Sequence, residues 1–189
     1  MLYIAGLFVF FALHTIPFSP TRKTKLTDRF GAKRYKTAFR IIALIAVAMI
    51  CFGWNDFSNI YFYEPPVYLK QIHIMLMLPT TYLLVAAEIP NNIKRLMPNP
   101  MLTGMKLWAT SHMLANGDLR SMILFISILV FCVIAVILTN KRDEKTKPDA
   151  LPLSTDIRAI VLSVVIYCTV IYFHGSLFGM PVLPYLEIL

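Results

Sequence analysis

Four histidines, His14, His73, His112 and His174, lie within or beside apolar stretches, and they are the residues best able to do chemistry there. Taking an ionisable side chain into a bilayer is costly, so such residues are functional-site candidates by default. One imidazole in a span is accounted for by hydrogen-bonding a neighbouring carbonyl. Four in so short a chain point further, because neutral imidazole ligates haem iron and divalent metals, and helix bundles build such sites from facing side chains. A zinc or di-iron centre would want carboxylates or a cysteine among its ligands, yet the acids near the apolar runs, Asp56, Glu64, Glu88, Asp118 and Glu187, stand at loop edges. A haem b asks only for one or two axial histidines, an apolar slot and a few polar groups for its propionates. Lys106, Arg120 and Arg158 are the candidates for that last role, although a Lys or Arg near a helix end commonly snorkels.

No other chemistry competes. The chain has no Gly-rich nucleotide loop, no GxSxG and no carboxylate pair inside an apolar run. Cys51, Cys132 and Cys168 each sit in a hydrophobic stretch without CxxC spacing and are expected to be buried free thiols.

The elements that must position the histidines are set by hydrophobicity. Hydrophobic residues make up 58% and charged ones 15%, which is too apolar for an ordinary soluble domain. The charges are segregated: none occur from Ile41 to Asn55, Gln71 to Ala87, Ser121 to Asn140 or Ala159 to Leu186, nor before Arg22. A bilayer span needs about 20 such residues. The expected fold is therefore all-α: a polytopic membrane bundle of about six transmembrane helices in a single domain covering residues 1–189. The spans are expected at Leu2 to Phe18, Ile41 to Trp54, Tyr68 to Ala87, Met101 to Ala115, Met122 to Leu138 and Ile157 to Phe173. The net charge of +8 does not imply nucleic acid, because the basic residues fall between apolar runs and read as topology. Arg22, Lys23, Lys25, Arg29, Lys33, Arg34, Lys36 and Arg40 mark the first inside loop, Lys94 and Arg95 the second, and Lys141, Arg142, Lys145 and Lys147 the third; Lys70 and Arg120 stand alone in the outside loops. Both termini are then periplasmic in a bacterial inner membrane. The fourth span is short and carries Thr103, Lys106, Thr110, Ser111, His112 and Asn116, so it is expected to pack among other helices rather than face lipid on all sides.

Depth constrains which histidines can pair. At 1.5 Å per residue, His14 lies about 6 Å from the inner end of its span and His112 roughly 16 Å from the inner end of its own. His73 and His174, near the outer ends of the third and sixth spans, are closer in depth to His112. These estimates favour His112 as the shared ligand and leave its partner open.

The segments LFVFFALH (Leu7 to His14), LMLPTTYLLVAA (Leu76 to Ala87), Pro100 to Leu102, LWATSHMLANGDL (Leu107 to Leu119) and HGSLFG (His174 to Gly179) resemble, in that order, the NnrU family. The resemblance covers essentially the whole chain and is most specific from Trp108 through His112 to Asn116 and Gly117. It implies a polytopic bacterial membrane protein of the nitrite and nitric oxide reduction setting, related to the plant 15-cis-zeta-carotene isomerase, which isomerises a carotenoid double bond with a histidine-held haem b. His14 and His112 are the positions matching that enzyme's ligands. Two departures weigh against isomerase activity here. Asn99-Pro100 stands where many members read His-Pro, and Ala109 stands where the isomerase carries a cysteine three residues before its second histidine, so no thiolate can replace the imidazole.

Three functions follow as expectations. The first is a haem-b protein with His14 and His112 as axial ligands to the metal, and with His174, Asn116 and Lys106 contributing to the cofactor pocket. The second is a cis-trans isomerase of a polyene lipid, requiring an apolar tunnel lined by Phe8, Phe11 and Trp108. The third is a non-enzymatic assembly factor for a nitrogen-oxide reductase, its histidines serving as polar glue between helices. No residue is named as catalytic. Asn116-Gly117 fits a left-handed helix end or a cap that aims Asn116 at a cofactor edge, Gly6 and Gly53 fit close helix contacts, and the basic loop fits an anchor on the anionic inner leaflet.

Overall fold

In the computed structural model, described for residues 1–55, 60–142, 148–182 and 184, the chain runs through eight α-helices and one short 3₁₀ turn. Among the described residues the only β pairing is an isolated bridge between Tyr61 and Asp118. The helices are α1 (Leu2–Thr15), α2 (Pro20–Phe30), α3 (Ala32–Gly53), α4 (Val67–Glu88), α5 (Ile93–Leu96), α6 (Pro100–Ala115), α7 (Leu119–Arg142) and α8 (Leu153–Phe178), with the 3₁₀ turn at Ile16–Phe18. Asp56, Lys145, Lys147 and Glu187 lie outside the described residues, as do the side chains of Lys141 and Arg142.

All six expected apolar segments are helical, but they are unequal as spans. α3, α4, residues Leu119–Thr139 of α7, and α8 are each long and apolar enough to cross a membrane, and α1 with its 3₁₀ turn and α2 make a fifth candidate bent by 97°. At 16 residues, α6 reaches about 24 Å, short of a hydrocarbon core of roughly 30 Å. The protein is a multi-pass helical membrane protein. Its packing suits that solvent: α8 leaves Val161 and Val165 more than half exposed and buries only Thr155, Ala159 and Ser163, because lipid tails are as apolar as the side chains they touch.

The residues fall into two units, Met1–Ile60 and Tyr61–Leu189. In the first, α1 packs along α3. Gly6 and Gly53 permit the approach, as expected: a Cβ on Gly6 would stand 2.9 Å from Ala46 O, Ile50 N and Met49 Cβ, and one on Gly53 would collide with the Tyr3 backbone. Tyr3 is fully buried, and its ring meets Trp54 edge-on at 5.6 Å. The basic stretch is no loop. Ser19 caps α2 by accepting from Arg22 N–H, and Pro20 opens the helix, the ordinary helix-start arrangement. Gly31, at φ +80°, then separates α2 from α3. Charge ends a membrane span, but Lys and Arg are good helix formers, so α3 begins nine residues before the apolar run at Ile41.

In the second unit α6 packs against both α4 and α7, and α4 also packs against α8, so the polar fourth segment does lie among helices. Both ends of α4 are tied down. At its start, Phe62 N–H donates to Gly117 O at 2.8 Å, and the Tyr63 hydroxyl to Met113 O at 2.6 Å. At its end, Asn91 Nδ2 donates to Ala86 O, while Asn92 gives its backbone N–H and its amide to the two Asp156 carboxylate oxygens, each at 2.7 Å, and exchanges further bonds with the Leu151 backbone. Asn92→Ala removes three of those side-chain bonds. A lowered unfolding midpoint in detergent, equivalent to about 1–2 kcal/mol, is the expected result; an unchanged midpoint would show the clamp to be idle.

Cysteines depart from expectation in burial. All three are free, but only Cys132 is buried; Cys51 and Cys168 are exposed. In a spanning helix an exposed thiol faces lipid, where a small apolar side chain costs nothing.

Candidate histidine site

Position 112 is built by α6. His112 lies one turn after Trp108, and its Nδ1 stands 2.9 Å from the Trp108 carbonyl oxygen. That oxygen can only accept, so the proton resides on Nδ1 and the lone pair on Nε2. The ring is walled by Trp108 at 4.7 Å, by Phe125 of α7 at 4.8 Å and by His73 of α4 at 4.4 Å. Trp108 and Phe125 also meet each other edge-on at 5.0 Å. Fully buried Ser111 sets its Oγ 3.1 Å from Trp108 O and 3.4 Å from Met77 Sδ, so a small residue lets α6 close on α4.

His73 is prepared in the opposite sense. Its Nδ1 is buried with no hydrogen-bond partner. An orphaned buried nitrogen is rare. Here the ring lies against a second imidazole that also holds an unshared lone pair, so two electron-pair donors stand side by side. On α8, His174 has its Nδ1 bonded to Met180 O at 2.7 Å and its ring 4.8 Å from that of Phe178. Tyr167, two turns earlier on α8, donates to Ile74 O at 2.9 Å and holds the helix beside His73. The structure thus brings His112 and His73 into contact, two of the three that the depth estimates grouped. No cluster of three or more His, Cys, Asp or Glu among the described residues is arranged to hold a metal ion.

His14 belongs to the first unit. Its Nδ1 lies 2.7 Å from Phe10 O, again one turn back, and its ring stacks on Phe10 at 4.1 Å and meets Phe39 of α3 at 5.2 Å. His14 and His112 therefore carry the same lock, each within its own unit.

The remaining candidates are placed as follows. Asn116 is extended (φ −127°, ψ 126°) and sends its amide to His112 O at 2.8 Å, closing α6. This replaces the expected left-handed cap, and Gly117 is required for a different reason: a Cβ there would strike Tyr63 O. Lys106 is near the Cys132 thiol on α7, and Arg158 is exposed. Arg120 pairs with Asp118 at 3.8 Å, while Asp118 caps α7 through Ser121 N–H and Oγ. Asn99, lacking an imidazole, reaches Thr139 of α7 at 3.5 Å. Phe8 is 74% exposed, so it walls no enclosed tunnel. Nothing in the sequence pointed to the Trp108 carbonyl as the lock on His112, although the four-residue spacing of both aromatic–histidine pairs, Phe10 with His14 and Trp108 with His112, was visible.

Residues 2–182 match the family model described as NnrU protein. The chain belongs to the NnrU family. No curated protein and no solved structure matches it. Membership of the NnrU family accords with the multi-pass helical architecture, and it sets the histidine site within an otherwise apolar protein.

Proposed function

We propose that this is an inner-membrane haem-b protein of the NnrU family, with His14 and His112 each prepared as an iron ligand, serving redox or nitric-oxide-linked chemistry in the setting of nitrite and nitric oxide reduction. The observation that carries the reading is the shared lock: in both histidines Nδ1–H is committed to the carbonyl four residues earlier. That second contact is what fixes ring orientation and raises the basicity of a metal-ligating histidine, leaving Nε2 as the donor atom. Imidazole nitrogens are suitable donors for haem iron, and the orphaned Nδ1 of His73, whose ring lies against His112, would accept a hydrogen bond from a ligand held there. When bound, a haem supplies an iron centre whose potential follows from its axial ligands and the dryness of the pocket. Trp108 and Phe125 exclude water from His112 and hold its plane. The charge asymmetry between the apolar segments supports the cytoplasmic membrane.

One contact favours a second reading. His112 wedges between α4 and α7 against His73 and Phe125, as it would if it served only as polar glue in an assembly factor for a membrane reductase. A reduced-minus-oxidised visible spectrum with pyridine haemochrome, taken on detergent-purified protein made with ample haem, separates the two. Haem b in the wild type, lost in His112→Ala at equal folding, is expected; well-folded wild type without haem would overturn the proposal and leave the assembly reading.

A further inference from the structure

One face of α3 carries a gradient from charge to hydrocarbon. Lys36, Arg40, Ala43, Leu44 and Val47 recur at helical spacing and so share that face, while the opposite face, with Ala46 and Gly53, packs on α1. Phe39, Arg40, Ala43, Leu44 and Val47 line a shallow, open groove of about 340 Å³ on this one helix, and Leu44 is 69% exposed. Arg40 is the last charge before the charge-free run from Ile41 to Asn55. The groove therefore begins at headgroup depth and continues into the hydrocarbon.

The surroundings supply one sign of charge. Between Arg22 and Arg40 there are eight Lys and Arg and one acid, Asp28; among the described residues no carboxylate pairs with any of the eight. The 97° turn between α1 and α2 lays α2, with Arg22, Lys23, Lys25 and Arg29, across the axis of the first span. Unpaired cations at headgroup depth above an apolar groove fit an amphiphile with an anionic head.

We propose that this face of α3 binds one anionic phospholipid, its phosphate held by Arg40 and Lys36 and one acyl chain lying along Ala43, Leu44 and Val47. The planar guanidinium of Arg40 matches phosphate geometry, and the Lys36 ammonium adds a point charge one turn away. Phe39 forms the wall of the groove and its ring meets His14, so the bound chain packs one ring away from that histidine. The site stands independently of any haem.

Native mass spectrometry of delipidated protein, offered phosphatidylglycerol and phosphatidylethanolamine with identical acyl chains at equal mole fraction, tests it. The wild type is expected to retain one phosphatidylglycerol in preference. Lys36→Gln with Arg40→Gln should weaken that retention about tenfold or more, and Ala43→Phe, which fills the groove without altering charge, should weaken it comparably. The charge-matched pair Lys23→Gln with Lys25→Gln should leave it within about twofold. Equal loss in the α2 pair would show diffuse surface attraction and overturn the site, as would indifference between the two lipids or undiminished binding by Ala43→Phe. Displacement by millimolar glycerol 3-phosphate would overturn the lipid in favour of a free phosphate ester. The substituted side chains lie on the exposed face, and thermal melting confirms that each variant is folded before binding is read.

Discussion

Gly117→Ala is expected to be the most damaging single-methyl change in the second unit, lowering stability by about 3–5 kcal/mol. A Cβ at this position would overlap Tyr63 O and stand 2.9 Å from Tyr63 C. Those are backbone atoms, so no rotamer change makes room. Tyr63 cannot retreat without cost either, since its hydroxyl is bonded to Met113 O and Phe62 N–H to Gly117 O. Opening the crossing forfeits those bonds together with the Tyr61–Asp118 bridge. Thermal unfolding in detergent, with limited proteolysis of the Tyr61 to Pro66 segment, reads the effect. A variant as stable as the wild type would mean that this segment is not seated on the α6–α7 junction.

The second large effect distinguishes among the histidines. His73 and His112 have ring centroids 4.4 Å apart. Two imidazoles that would hold one iron between them need their centroids roughly 6 Å apart or more. His73 would therefore not be the second ligand beside His112, and His14, which carries the same Nδ1 lock, is the proposed one. His14→Ala is expected to lower haem affinity more than about a hundredfold, beyond the 10–100-fold range typical of losing a supporting contact alone, with free imidazole restoring the spectrum. His73→Ala should retain haem and shift only its ligand-binding behaviour. A bis-histidine spectrum that survives His14→Ala and disappears in His73→Ala would sink this assignment.

The spans were legible because bilayer physics writes them as charge-free runs, and each expected run is a helix. Helix ends were not, since the residues from Arg22 to Arg40 stop a span without stopping a helix, and Ser19-Pro20 is the one local mark that a helix starts there. Depth estimates grouped His73 and His174 with His112 because a helix converts residue number directly into height. They could not supply azimuth, so the contact of the His73 ring with His112 came only from structure. Gly117 shows the same limit: its requirement is set by Tyr63, more than fifty residues away, whereas the local Asn-Gly pair suggested a left-handed turn. The Asn91–Asn92 clamp was missed for a related reason, its partners Leu151 and Asp156 lying past two further helices.

That clamp also orders events at the ribosome. Tyr63 finds Met113 as soon as α6 has emerged, so the start of α4 is secured midway through synthesis. Asn92 has no counterpart until Leu151 and Asp156 are made, some sixty residues later. Until then the far end of α4 stays unlatched in the membrane, and α8 is the bolt whose arrival shuts it.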